Sequence, residues 1–488
     1  MINISRCMST QHPDNVSIPF FADNEVLSSN TEVKEAYYVF SQLGCREQMW
    51  DNEGKDVDNQ VVEKLLSKYT EFFSKTVLGK DIFLTYRVPN PSIQQNQGKV
   101  LLEVLHSIPR AYDSAKLLHE DIAPIFEVIL PMTTNHLEIG RIASYYDKFV
   151  IGQQSKSLIE NDIKIKEWIG DFKPEKINVI PLFENFESFI NVHKLVEKYI
   201  QSSKPEYQRV FLARSDPALN YGSVTAVLLA KIALQNLFEL EQKTSIPIYP
   251  ILGVGSSPFR GNLKPINVDN CAAEYPSVQT FTLQSAFKYD FPFRDVVNSI
   301  DMMNSGRRKP PNQIDEQMAM KFIDKIKGQY QKELYEIAEI INAVAKYIPA
   351  RRTRSLHVGL FGYSRSSGGI KLPRAISFCA SFYSIGLSPE LLGLSALTNE
   401  EFDQVQQIYD NFDKDITDAA RYLNKKNLNF LSPKIKKNIG KVLEWIDYDP
   451  DLEHIEITDR ILHNTLSGRM STIKEDIVQA GWIRKFLG

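Results

Sequence analysis

One pattern constrains this chain more than any other. Short β-branched or aromatic runs recur along it, each ending in polar or charged residues and leading into a helical stretch. The runs are Cys45–Trp50, Ile82–Val88, Ile125–Met132, Ile177–Phe183, Arg209–Ala213, Ile246–Val254, Val278–Leu283 and Leu356–Phe361. Several are apolar without alternation, as in Ile-Asn-Val-Ile-Pro-Leu-Phe, which is the composition of strands buried on both faces. Helical pattern, as in Val61–Phe73 and Gly222–Leu240, separates most of them. Eight strands with helical crossovers predict an α/β fold, a (β/α)8 TIM-type barrel.

The barrel does not use all 488 residues. Residues 1–376 are expected to form it, with an N-terminal active-site segment and a helical insertion near 287–354. In that insertion Phe322, Ile323, Ile326, Tyr330, Leu334, Ile337, Ile341 and Val344 follow helical spacing. Residues 377–488 read as a C-terminal helical region packed on the barrel. Lys plus Arg number 57 and Asp plus Glu 60, a net charge of −3. That balance gives no electrostatic footprint for nucleic acid or an anionic membrane. No apolar run reaches the length of a transmembrane helix, and the N-terminus lacks a signal-peptide core, so the cytoplasm is the default address. Cys7, Cys45, Cys271 and Cys379 form no CxxC pair, which disfavours a zinc cluster or a disulfide framework. The basic clusters Arg307-Arg-Lys309 and Arg351-Arg-Thr-Arg354 are read first as solvated charge and second as phosphate sites.

In such a barrel the active site forms at the C-terminal ends of the strands, so the last polar residues of each run are the ones to inspect. They are Asp51, Glu53 and Lys55, then Arg87, Glu184, Asp216, Arg260, Gln284 and Arg365. Two acids on neighbouring strand ends suit a hard divalent cation, with water and substrate oxygens completing its shell. Several arginines around that cation suit a small substrate bearing phosphate and carboxylate. Taken singly, each of these residues is more readily a structural salt bridge; taken together at one barrel mouth, they favour chemistry. Gly253-Val-Gly255 is no P-loop, because no GK[ST] follows it. His12 is a lone histidine in a polar segment, and no HxH or HExxH arrangement points to zinc.

Longer motifs carry a resemblance. Cys7-Met-Ser-Thr-Gln-His-Pro-Asp-Asn15, Met49-Trp-Asp-Asn-Glu-Gly-Lys55, Leu84-Thr-Tyr-Arg-Val-Pro-Asn-Pro91 and Phe126-Glu-Val-Ile-Leu-Pro-Met132 resemble the archaeal-type phosphoenolpyruvate carboxylases. So do Pro181-Leu-Phe-Glu184, Arg214-Ser-Asp-Pro-Ala-Leu-Asn-Tyr-Gly222, Pro258-Phe-Arg-Gly-Asn262 and Leu372-Pro-Arg-Ala-Ile376. The resemblance runs from Cys7 to the C-terminal Gly488.

It implies a Mg²⁺-dependent joining of bicarbonate to phosphoenolpyruvate, giving oxaloacetate and phosphate, in an allosteric homotetramer that admits Mn²⁺. By the same resemblance Glu184 and Asp216 match the metal ligands and His12 a proton acceptor. Arg374 matches a phosphate-binding arginine and Arg260 one that contacts the bicarbonate-derived group. Arg87, Arg214, Gln284 and Arg365 are the remaining substrate-binding candidates. The chain departs from the longer bacterial and plant enzymes in two places. It has Gly253-Val-Gly-Ser-Ser257 where they carry His-Gly-Arg-Gly-Gly, and Leu219 and Asn220 where they carry a lysine. Two rival readings are another metal-dependent lyase or mutase of the phosphoenolpyruvate/pyruvate barrel group, and a barrel that only binds metabolites.

Overall fold

A computed structural model describes residues 4–487, apart from 12–14, 55–56, 120, 353–364 and 368–369. Eight parallel strands close into a ring: β1 (Cys7–Ser9), β2 (Glu47–Asp51), β3 (Phe83–Arg87), β4 (Glu127–Leu130), β5 (Asn178–Phe183), β6 (Gln208–Ala213), β7 (Ile248–Gly253) and β8 (Thr280–Leu283). β1 pairs with both β2 and β8, which seals the barrel. The barrel is thus as expected, but one strand differs. The run Leu356–Phe361 lies outside the described residues, and the ring closes without it. Its place is taken by β1, which at three residues is too short to show a period in the sequence.

Side chains fill the ring in layers drawn from alternate strands. The lowest layer is charged. Arg209 of β6 donates to Glu47 of β2 at 2.7 and 2.9 Å, to Glu127 of β4 at 2.7 Å and to Thr280 of β8 at 3.2 Å. Strand side chains repeat every two residues, so the next even-strand positions are Met49, Ile129 and Phe211, which pack together in the apolar interior. Two residues further on stand Asp51, Ala213 and Gln284. The apolar plug therefore separates a sealed ionic floor from a polar mouth.

Helices cover the outside. Ser223–Thr244 is long and apolar enough to cross a membrane, yet 83% of its apolar window is buried within the fold. It packs between the barrel and the long helix Glu316–Ala345, whose predicted positions Phe322, Ile326, Tyr330, Leu334, Ile337 and Ile341 are all buried. Among the described residues after β8, the regular elements are helices apart from a pair of short strands, Arg365–Ser367 and Ile370–Leu372.

Candidate active site

Most of the acids and arginines picked from the strand ends fall into two groups, while Lys55 and the Arg365 side chain lie outside the described residues. The first surrounds Arg87 at the end of β3. Its Nε and Nη2 donate to Asp51 at 2.6 and 2.7 Å, and Nη2 lies 3.0 Å from Glu53. Burial works against the guanidinium charge, but Asp51, Glu53 and then Glu184 outweigh it and hold the proton more firmly than usual. Glu184, directly after β5, therefore belongs to this neighbourhood. The Arg87 fork is committed to Asp51 along one edge and, through Nη2, to Glu53 as well.

The second group is built on the turns after β6, β7 and β8. Asp216 sits in the first turn of helix Ser215–Tyr221. That helix is clamped from outside by the long helix, where the Tyr330 hydroxyl donates to Leu219 O at 2.9 Å and Gln331 to Asn220 O at 3.2 Å. Arg260 is buried, donates from Nε to Ser215 Oγ at 3.1 Å, and donates from Nη2 to Gln284 Oε1. Its turn is tight. Gly255 N–H donates to Arg260 O at 2.8 Å, and a Cβ at Gly255 would stand 3.0 Å from both Arg260 Cζ and Gln284 Oε1. Gly261 has φ +115°, and a side chain there would meet Val254 at 2.6 Å. The left-handed backbone and the close approach at Gly261 call for glycine, whereas a side chain at Gly255 would crowd Arg260 and Gln284.

Arg374 lies outside the ring, as the N-cap residue of helix Ala375–Ser384. That helix packs on Ser215–Tyr221, so Arg374 stands on the Asp216 side. The strand Arg365–Ser367 also packs against the Asp216 helix. His12 lies outside the described residues. The residues just before it run along the mouth: Thr10 N–H donates to Leu283 O at 3.0 Å, and Gln11 Oε1 accepts from Asp51 N–H at 2.8 Å.

Two expectations are corrected. Arg214 does not face the acids. Its guanidinium is fully buried, donating to Phe259 O at 3.3 Å and Ser223 Oγ at 3.2 Å. It lines a cavity of about 10 Å³ with Asn262, Tyr275, Tyr409 and Asp415. Successive residues of a turn point in different directions, and Arg214 buttresses the Arg260 turn from behind. Of the cluster at 351–354, Arg351 and Arg352 are not a solvated face either, and Arg354 lies outside the described residues. Arg351 pairs with Glu25 at 3.2 Å, and buried Arg352 pairs with Glu32 at 2.8 Å and Glu35 at 2.5 Å.

Among the described residues no group of three or more His, Cys, Asp or Glu side chains forms a closed metal cage. Glu184 and Asp216 instead supply two hard oxygen donors from neighbouring strand ends. That donor set fits a cation which keeps several waters and substrate oxygens.

A barrel whose strand ends collect paired carboxylates and several arginines defines a class: enzymes that act on small, multiply charged anions with the help of a divalent cation. The comparisons narrow this class. A family model described as phosphoenolpyruvate carboxylase matches residues 4–488. The phosphoenolpyruvate carboxylase of Methanospirillum hungatei is 51% identical over 488 residues, covering the whole of both chains. That of Methanothermobacter thermautotrophicus is 48% identical, again over both full lengths. That of Pyrococcus abyssi is 48% identical over 487 residues, covering 99% of this chain and all of its own. The chain belongs to the phosphoenolpyruvate carboxylase family.

Proposed function

We propose that the chain joins bicarbonate to phosphoenolpyruvate, giving oxaloacetate and phosphate, a replenishing carbon-fixation step. One observation carries this reading. Two acids, Glu184 and Asp216, share a barrel mouth with Arg87, Arg260 and Arg374, which come from three separate parts of a chain collinear with that family. Glu184 and Asp216 would hold the divalent cation, Mg²⁺ with Mn²⁺ as substitute. Bound there, it supplies positive charge toward oxygens that become more negative during the reaction.

The side chains divide the work. Arg374 presents a fork to the substrate phosphate, at the N-terminal end of a helix that itself favours anions. Arg260, pinned by Ser215 and Gln284, is preorganised toward the bicarbonate-derived group and needs no rearrangement as charge develops. Arg87, held by Asp51 and Glu53, adds fixed positive charge. A bicarbonate oxygen attacks phosphorus while the bond from phosphorus to the enol oxygen breaks, leaving carboxyphosphate and the enolate of pyruvate. His12 accepts the carboxyphosphate proton, carbon dioxide and phosphate separate, and the enolate carbon bonds to carbon dioxide. Water has to be kept from the enolate, since its protonation wastes the turnover as pyruvate.

The finer assignments in this reading are a homotetramer, allosteric control, a cytoplasmic location, and a barrel unit of 1–376 followed by a helical unit of 377–488. They are supported by the resemblance and the composition. The deciding assay is oxaloacetate formation from phosphoenolpyruvate with and without bicarbonate. Strict dependence on bicarbonate and on a divalent cation is expected. Phosphate release that ignores bicarbonate would point to a different reaction on the same barrel.

A further inference from the structure

Lys288 stands one turn beyond Gln284, in helix Ser285–Tyr289 after β8. Its ammonium is wholly buried, and each of its three protons has an acceptor. It donates to Ser9 Oγ at 2.9 Å, to Thr10 O at 3.1 Å and to Glu35 at 2.9 Å. Glu35, on helix Ser29–Ser41, also accepts from the Tyr289 hydroxyl at 2.6 Å and from Arg352 at 2.5 Å. Arg352 donates in turn to Glu32 at 2.8 Å. Burial alone raises the Glu35 pKa, but Arg352 and Lys288 overcome it and bring the group to about 2.

Two cations and two carboxylates are thus sealed from water at the edge of the mouth. Stability alone does not call for such a set, because well-packed apolar residues commonly serve as well or better. What charge-assisted bonds add is a fixed register. Here they tie Ser9 and Thr10, the residues leading to His12, to Arg352, which leads into the segment carrying Arg365 and Arg374. Sequence distance hides this link: Lys288 and Ser9 are 279 positions apart, and Arg352 and Glu35 are 317 apart.

We propose that Lys288 is a positioning residue for the His12 segment, acting through Ser9 and Thr10 and steadied by Glu35 and Arg352. The proposal rests on the reading of His12 as proton acceptor. A misplaced acceptor slows the second chemical stage more than the first, so enolate escapes as pyruvate. The experiment measures phosphate, pyruvate and oxaloacetate in parallel for Lys288→Met, Ser9→Ala and His12→Asn in the full chain with Mg²⁺ and bicarbonate.

Lys288→Met is expected to raise the pyruvate-to-oxaloacetate ratio by about tenfold, the scale of a small misplacement, with phosphate release still dependent on bicarbonate. Ser9→Ala removes a single bond, leaves the fold intact, and shifts the ratio the same way by a smaller factor. It decides the matter if Lys288→Met fails to fold. A wild-type ratio in His12→Asn would remove the His12 reading and the proposal with it. A shifted ratio in His12→Asn beside wild-type ratios in Ser9→Ala and folded Lys288→Met would overturn the positioning role alone.

Discussion

In the proposed function Asp216 and Glu184 act by charge more than by shape. Asp216→Asn keeps the side-chain outline and removes one negative charge from a site for a hard cation. The cation concentration for half-maximal rate should rise by about tenfold or more, with little change in thermal midpoint. Near-normal activity at limiting Mg²⁺ would show that the ligands lie elsewhere. Arg374→Lys keeps the charge and loses the fork, so KM for phosphoenolpyruvate should rise by roughly tenfold; an unchanged KM would return Arg374 to a structural role. A third residue reports on stability. His454 is fully buried, and burial, then the Arg484 charge, lowers its pKa to about 3. The unfolded chain takes up this proton near pH 6.5, whereas the folded chain resists it until about pH 3. Its contribution is therefore complete above pH 6.5 and declines as pH falls, by up to about 1.4 kcal/mol per pH unit. Urea midpoints of His454→Leu between pH 7 and pH 4.5 should fall less steeply than those of the parent chain. Parallel curves would contradict the assignment.

At the scale of elements, the barrel was legible because its parallel strands are buried on both faces and their apolar runs stand out. Glu184 and Gln284 directly follow the strands β5 and β8, so the end of each apolar run pointed to them, whereas Asp216 and Arg260 stand on the turns and short helices that come after β6 and β7. β1 was not legible, since Cys7–Ser9 carries too few residues for any period. The run Leu356–Phe361 had strand composition, but composition does not say whether a ring has already closed. Arg214 was misread because a turn reverses direction within one residue. Arg209, Glu47 and Glu127 form the ionic floor, yet each stands alone in its own strand, and only the closed ring brings them together. This floor gives a prediction. Arg209→Met leaves two buried carboxylates without their cation, a loss of about 3–5 kcal/mol. Urea unfolding measures it, and a variant as stable as the parent would show that Glu47 and Glu127 are satisfied without Arg209.

At the scale of the whole molecule, the site is shared between the barrel and what is wrapped around it. The ring supplies Arg87, Glu184, Asp216, Arg260 and Gln284. The chain after the ring supplies Arg374, and the helix Glu316–Ala345 fixes the Asp216 helix through Tyr330 and Gln331. The proposed site therefore draws on segments far apart in the sequence, and the family match likewise spans residues 4–488. The central claim is that bicarbonate itself attacks phosphorus at this mouth and then delivers carbon dioxide to the enolate. Bicarbonate labelled with ¹⁸O in all its oxygens tests this most directly, with phosphate and oxaloacetate analysed by mass spectrometry after a brief turnover. One labelled oxygen in each phosphate and two in the new carboxylate of oxaloacetate are expected. Phosphate free of label, formed alongside oxaloacetate, would contradict the account.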